Sequence, residues 1–380
     1  MKTTSTTTLG IGLTMALALG AFACQKEHED SADQAVPSAE AKSAGVDPNL
    51  AKAVAAASAS QPGAGDAAQG EAPPASGVFG PGQADQKLQR GATPVVTVGA
   101  LGGTPKVSLG SRQLQPGVKQ TATVKLSLQV GANRTPLFDF GLSLEPAKPK
   151  PRGKDDTAGG AVADSPSGVE VLARITGCEI DPTQASRVPE HERKMVAKLK
   201  GGGVRFQTAA DGASTGFTVE MAKAADPGLK HHVEALAEVL SALTLPVPPE
   251  PVGPGAYWMA TSRDTVAGID AVTYRMIKVE KVQDSGVVVE MNVRRYAASS
   301  AIDAQGVPPD LGTVELSRFQ ATAKGNVVLQ PGVLLPVGGR YSSELSAFAT
   351  ASKAPGQNLP IAQIRVTADV GTAGSKPAAQ

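Results

Sequence analysis

From Tyr257 to Val370 the chain is a succession of period-two segments separated by short turns, and this pattern limits the available folds more than any other feature. Tyr257 to Ser262, Ile269 to Val282, Gly286 to Tyr296, Thr313 to Ala323, Asn326 to Leu335, Tyr341 to Ala349 and Ile361 to Val370 read as strands, joined by turns such as Gln283-Asp284-Ser285-Gly286. Val287, Val289, Met291 and Val293 take one face, and Glu290, Asn292 and Arg294 the other, as in a strand with one wet side. Within Ile269 to Val282 the apolar phase changes, from Val272, Tyr274 and Met276 to Ile277 and Val279. A bulge there would let a long strand curl.

Upstream the alternation continues. Val118 to Val130 and Phe138 to Leu144 read as a hairpin around Gly131 to Pro136. Glu145 to Gly168 is a Pro, Gly and charged loop, and Val169 to Ile180 resumes strand character. A short helix is predicted from about Pro189 to Lys200, stopped by Gly201-Gly202-Gly203. A hairpin follows, from Val204 and Phe206 through Asp211-Gly212 to Phe217, Val219 and Met221. The strongest helix comes next, capped by Asp226 with Pro227 in its first turn, its apolar stripe formed by Leu229, Val233, Leu236, Leu240 and Leu243. Leu245 to Pro251 is too rich in proline to continue that helix and reads as a stiff extended connector. With aromatics at 3% and hydrophobic residues at 41%, the core must be built of Val, Leu, Ile and Ala. Many strands and one strong helix predict a mainly β (α+β) fold, a curled antiparallel sheet or half-barrel with one major helix on its concave face.

The front end speaks of location. Met1-Lys2 followed by the apolar run Leu9 to Ala23 has the length of a signal peptide, and Ala21-Phe22-Ala23-Cys24 resembles a lipobox, in which Cys24 becomes the acylated first residue. Ala21 and Phe22 depart from the usual Leu and small residue, so an ordinary A-x-A cleavage that leaves Cys24 unlipidated stays open. More than one acyl chain would anchor the protein stably in a membrane. Gln25-Lys26, with no Asp after the cysteine, favours the outer membrane over the inner one. The expected organisation is a signal peptide (1–23), a lipidated Cys24 with a disordered Ala/Gly/Pro/Ser-rich tether (24–93), one β-rich domain (94–370) and a disordered tail (371–380). A flexible tether of about 70 residues would have an end-to-end distance of roughly 45 Å. A net charge of +1 gives no global field toward nucleic acid.

The order of hairpin, strand, helix and Pro-rich connector, ending in Pro251-Val252-Gly253-Pro254-Gly255-Ala256-Tyr257-Trp258 before paired long strands, resembles a family of bacterial envelope lipoproteins built on a domain of unknown function. The family is seen especially in high-GC Gram-negative bacteria and is of myxobacterial type. The resemblance spans about Val107 to Val370. Its plan is similar to the half-barrel of LolA-like and LppX-like carriers of lipid or lipoprotein, and it implies no catalytic residue.

Candidate chemistry is sparse. His231 and His232 point about 100° apart on a helix and cannot share a metal, so they read as a solvated helix face, with no metal site expected. Cys178 shares a strand face with Arg174 and Thr176 and also with Leu172 and Ile180, and reads as a reduced structural thiol; an unacylated Cys24 would make a Cys24–Cys178 disulfide available. Lys148, Lys150, Arg152 and Lys154, beside Asp155-Asp156, read as a solvated loop, and Tyr257 and Trp258 as strand packing or ligand-contacting aromatics. No Gly-rich phosphate loop, G-x-S-x-G or Ser/His/Asp clustering is evident, so neither an enzyme nor a cofactor is expected. The leading expectation is a non-enzymatic envelope lipoprotein holding a lipid or other hydrophobic ligand in a sheet–helix groove lined by Leu229, Val233, Leu236, Leu240 and Trp258. The alternative is a structural or assembly factor of the envelope that binds a protein partner.

Overall fold

The computed structural model describes residues 74–115, 117–147, 168–302 and 311–371. The signal segment, Cys24, residues 25–73 of the expected tether, the basic loop at 148–154 and the tail beyond Gly371 lie outside them. The described chain is mainly β, one antiparallel sheet of 13 strands that curls without closing into a barrel.

The elements are α1 (Gln83–Lys87), β1 (Val95–Ala100), β2 (Gln120–Val130), β3 (Asn133–Arg134), β4 (Phe138–Pro146), β5 (Val169–Ile180), α2 (Pro182–Ala185), α3 (Glu190–Ala197), β6 (Gly203–Thr208) and β7 (Ser214–Glu220). A 3₁₀ turn (Pro227–Leu229) leads into α4 (Lys230–Leu243), followed by β8 (Tyr257–Val266), β9 (Ile269–Gln283), β10 (Gly286–Ala297), β11 (Val314–Leu329), β12 (Gly338–Ala351) and β13 (Ala354–Gly371). The strand order is β1-β8-β9-β10-β11-β12-β13-β2-β4-β5-β6-β7, with β3 on β2. Six successive strands from β8 to β13 thus form a meander, and β2 joins its far side by pairing Leu126 with Ala368.

Alternation fixes which residues turn inward. Rows such as Trp258–Ile277–Met291–Gly325–Tyr341–Ala368–Leu126–Phe138 run across eight strands on the concave face. The main core is continuous from this face to α4, whose Val233, Leu236, Val239, Leu240 and Leu243 are buried in it. Asp226 opens the helical region by accepting from the Gly228 amide at 2.7 Å. Burial of about 2 kcal/mol per large aliphatic side chain makes this stripe the main attachment of the helix.

Four sequence expectations change. First, the phase change in β9 is not a bulge: Ala271, Thr273, Arg275, Ile277 and Val279 face inward throughout, and Val272 and Tyr274 are buried on the other face. That second face is covered by residues 76–88, so both phases are apolar for packing reasons. A bulge does occur in this strand, where Glu280 is left unpaired opposite Val288 and Val289 of β10. Second, Thr313–Ala323 and Asn326–Leu335 are not two strands, because β11 runs unbroken from Val314 to Leu329. Gly325, which read as a turn, lies mid-strand, where an added Cβ would stand 3.2 Å from the Met291 methyl.

Third, the chain is folded twenty residues before the boundary expected at 93. Phe79 and Ala84 pack with Met259, Val272, Tyr274, Tyr296 and Ala298, and Arg263 donates to Asp85 and to the Leu88 carbonyl. Just before them, Ser76 to Phe79 enter the seam where β10 and β11 part: Ala297 donates to Gly77, Phe79 to Ala297, and Phe319 to Ser76. Gly77 has φ +76°, and a side chain there would collide with the Phe319 carbonyl. Fourth, the even-numbered face of β5 is not continuous. Thr176 is bulged between Ile175 and Gly177, so Arg174 and Thr176 point out while Cys178 and Ile180 turn into the core.

Candidate functional site

Charged side chains inside the concavity are the feature that needs explaining, since a buried charge is costly unless paired. Arg295 of β10 continues the inward register of Val287, Val289, Met291 and Val293, and Arg275 of β9 that of Ile277 and Val279. Both are nearly inaccessible, at 5% and 3% exposure. The opposing inward positions of β11 are Ala321, Ala323 and Gly325, whose small size leaves room for the guanidinium groups to cross toward α4 and β12.

α4 meets them with Glu238 and Ser241, three residues apart on the side away from its apolar stripe, while Glu234 one turn earlier pairs with Lys230 of its own helix at 3.2 Å. Arg295 donates to Glu238 at 3.0 Å and to the Tyr341 hydroxyl at 3.4 Å, and Ser343 donates to the same Glu238 oxygen at 2.9 Å. Arg275 is held more loosely, 3.6 Å from Asp264 and 3.5 Å from Ser241, while Ser262 donates to Asp264 at 2.6 Å. Two cations face two carboxylates, so the cluster is neutral. Burial lowers the Arg275 pKa, an effect Asp264 opposes, and burial raises that of Tyr341. Arg275 Nε, Arg295 Nε and the Thr273 hydroxyl have no hydrogen-bond partner. Chemically, the arrangement orients α4 on the sheet, because Glu238 and Ser241 of the helix each engage an arginine of the sheet, and Ser343 and Ser262 donate to the carboxylates those arginines face.

A third buried arginine sits in the strap that leads from β1 to β2. Arg112 is wholly buried; its amide donates to Ala210 and its Nη2 to the Leu334 carbonyl at 2.6 Å, tying the strap to two loops at once. Burial lowers its pKa to about 10. Beyond Leu334 is the larger of the two best-formed cavities, about 240 Å³, lined by Gln120, Thr121, Ala122, Leu144, Gln330 and Val333 to Val337 without Leu334. It lies on the line of β13 past Gly371, whose neighbours in the sheet are Gly338 and Thr123. The second cavity, beside Pro94 and Thr208, is about 20 Å³.

The residues expected to line a ligand groove stand elsewhere. Val233, Leu236, Leu240 and Trp258 are at most 1% exposed within the continuous core, Leu229 packs at its margin, and neither cavity touches any of them. The Trp258 indole N–H donates to the Pro246 carbonyl at 2.9 Å, so the ring is locked on the connector. Packing against β2–β7 and the connector fills the space a ligand would need. Tyr257 faces outward and is 41% exposed. His232 is not on a solvated face: it is 5% exposed and edge-on to Phe138 at 4.4 Å, and burial pushes its pKa down to about 3. Burial pushes the Cys178 thiol up, which suits a structural role. Among the described residues no group of three His, Cys, Asp or Glu side chains could hold a metal.

The sequence reading missed the arginine cluster. The signal was present as a phase, since Arg275 and Arg295 share the register of the apolar residues beside them. Compared with protein-family models, curated proteins and solved structures, the chain matches none.

Proposed function

We propose that the chain is a non-enzymatic lipoprotein of the cell envelope, anchored through acylated Cys24 at the outer membrane, and that its rolled sheet serves as a structural or assembly factor that holds a protein partner. The anchor is supported by the apolar run and the cysteine directly after Ala21-Phe22-Ala23. The observation that favours a protein over a lipid as the bound species is the filled interior, in which Leu236, Leu240 and Trp258 are 0% exposed. Sites that enclose a drug-sized ligand have volumes of roughly 300 to 1,000 Å³. The larger of the two best-formed cavities among the described residues, about 240 Å³ and at the rim, falls below that range.

The seam contacts of residues 76–79 fit the same role. Tension on a tether that enters there would pull on main-chain hydrogen bonds to two strands and on the packed ring of Phe79. A hydrophobic ligand remains the second reading, favoured only by the rim cavity.

The test has two arms. Cys24→Ala should release the protein from membranes and abolish acyl labelling. Photo-crosslinkers placed in living cells on outward positions of the sheet should give a discrete protein adduct. Unchanged membrane association would defeat the anchor, and uniform absence of protein adducts with a co-purifying lipid would defeat the partner role.

A further inference from the structure

We propose that β1 is the docking edge, and that it accepts an extended, uncharged segment of a partner protein as an additional strand of the sheet. This rests on the partner-holding reading above. β1 is terminal in the strand order and pairs only with β8. Among the described residues, no main-chain hydrogen bond outside that pairing involves Val95 to Ala100. An edge strand turns half of its N–H and C=O groups away from its one neighbour, and only another extended backbone satisfies them in series.

The side chains distinguish this edge from the other. Val95, Val98 and Tyr257 are 43%, 38% and 41% exposed, and they are three of the four large hydrophobic residues exposed among the described residues. All three belong to β1 or to the first residue of its neighbour. An added Cβ at Gly99 would collide with the Tyr257 ring, so the aromatic lies directly over the end of β1 and walls the edge on the outer face. No residue of β1 is charged, whereas edges are ordinarily guarded by lysine or glutamate. β7, the opposite edge, ends in Glu220, which Arg205 engages at 2.7 Å, and its Phe217 is stacked on Phe206 at 4.8 Å.

The chain's own remaining segments are poor candidates for the occupant. Residues 24–73, 148–167, 303–310 and 372–380 consist mainly of Ala, Gly, Pro, Ser, Gln and charged residues, without a run of alternating β-branched side chains. A second copy fits less well than a foreign strand. The register of β1 shifts between Val98 and Ala100, so a two-fold antiparallel pair over Val95–Ala100 would set the irregular Gly99 of each against Val96 of the other. An uncharged edge with exposed valines is complementary to a segment with uncharged, β-branched residues at alternate positions.

The probe is the soluble peptide acetyl-Lys-Thr-Val-Thr-Val-Thr-Lys-amide, added at millimolar concentration to the full mature chain in mild detergent, with amide hydrogen exchange as the readout. Exchange within Val95–Ala100 should slow at least threefold in the wild type, remain unchanged in β7, and show no response in Val95→Lys/Val98→Lys. No slowing at β1, or equal slowing in the double variant, overturns the proposal. So does protection of β1 without peptide, whether it grows with protein concentration alongside a doubled mass, which indicates a second copy, or is independent of concentration, which indicates cover from the same chain. Protein crosslinks in cells that persist unchanged in Val95→Lys/Val98→Lys would sink the edge while leaving the partner role intact. A bound lipid in place of any protein adduct would sink the partner role irrespective of the peptide result.

Discussion

Arg295 on the inner face of β10 and Glu238 on α4 meet at 3.0 Å across the concavity, joining residues 57 positions apart in the chain. This pair and the 2.9 Å bond from Ser343 to the same Glu238 oxygen tie the helix to the β8–β13 half of the sheet, whereas the apolar stripe of α4 packs toward β2, β6 and β7. A buried pair of this kind is costly to break and cheap to replace. Glu238→Ala should therefore lower stability by roughly 3 kcal/mol, leaving Arg295 uncompensated. Arg295→Met/Glu238→Leu should recover most of that loss. Urea denaturation of the three proteins checks this, and equal losses in the single and double variants would contradict it.

Acid should destabilise the protein through His232. Its folded pKa, about 3, lies below the 6.5 of an exposed histidine because the ring is buried beside Phe138. With the neutral form favoured in the folded state, its contribution is constant above pH 6.5 and is lost as pH falls from 6.5 toward 3, at up to about 1.4 kcal/mol per pH unit. His231, whose pKa burial also lowers, adds in the same direction. His232→Leu should flatten this acid arm in denaturation curves taken at pH 7, 5.5 and 4. Asp181, held to about pKa 2 chiefly by its bond from Lys125, contributes only to the further loss below pH 3.8.

The segment before β1 should behave as part of the folded domain. A chain beginning at residue 74 should match the stability of longer ones, and one beginning at 93 should lose the packing of Phe79, Ala84 and Leu88. Phe79→Ala alone should cost about 3 kcal/mol. Thermal melts of these chains decide where the domain starts.

Cys178 should resist thiol reagents. It is 2% exposed, and burial raises its pKa. In a Cys24→Ala chain, a chromogenic disulfide reagent should label no thiol until denaturant is added, and rapid labelling of the native protein would contradict the buried placement.

What the sequence made legible follows from how each signal arises. Period-two alternation reports a strand buried on one face, so β2 and β5 were read almost to the residue, the latter bounded by Gly168 and by Asp181-Pro182. The same rule fails where both faces are buried. β9 carries apolar residues in both phases because Phe79 and Ala84 cover its outer side, and that cover comes from a stretch so rich in Gly, Pro and Gln that it read as tether. Gly325 read as a turn, since a local pattern cannot show that Met291 covers it from the next strand. In the candidate site, the apolar stripe of α4 was legible, but its use was not: Leu236 and Leu240 fill the core that they were expected to leave open. Arg275 and Arg295 escaped because charge outweighed phase, and their partners lie apart from the local pattern, Asp264 on the neighbouring strand and Glu238 on a helix 57 residues before Arg295.

The most direct measurement is native mass spectrometry of the mature protein, extracted from membranes in mild detergent and released in the gas phase. A filled interior predicts one reproducible mass, that of the acylated polypeptide, unchanged after incubation with phospholipid vesicles. A stoichiometric lipid adduct that survives detergent exchange, and that is lost when Leu240→Trp is introduced into the core that also holds Trp258, would contradict the account and return the sheet–helix space to ligand binding.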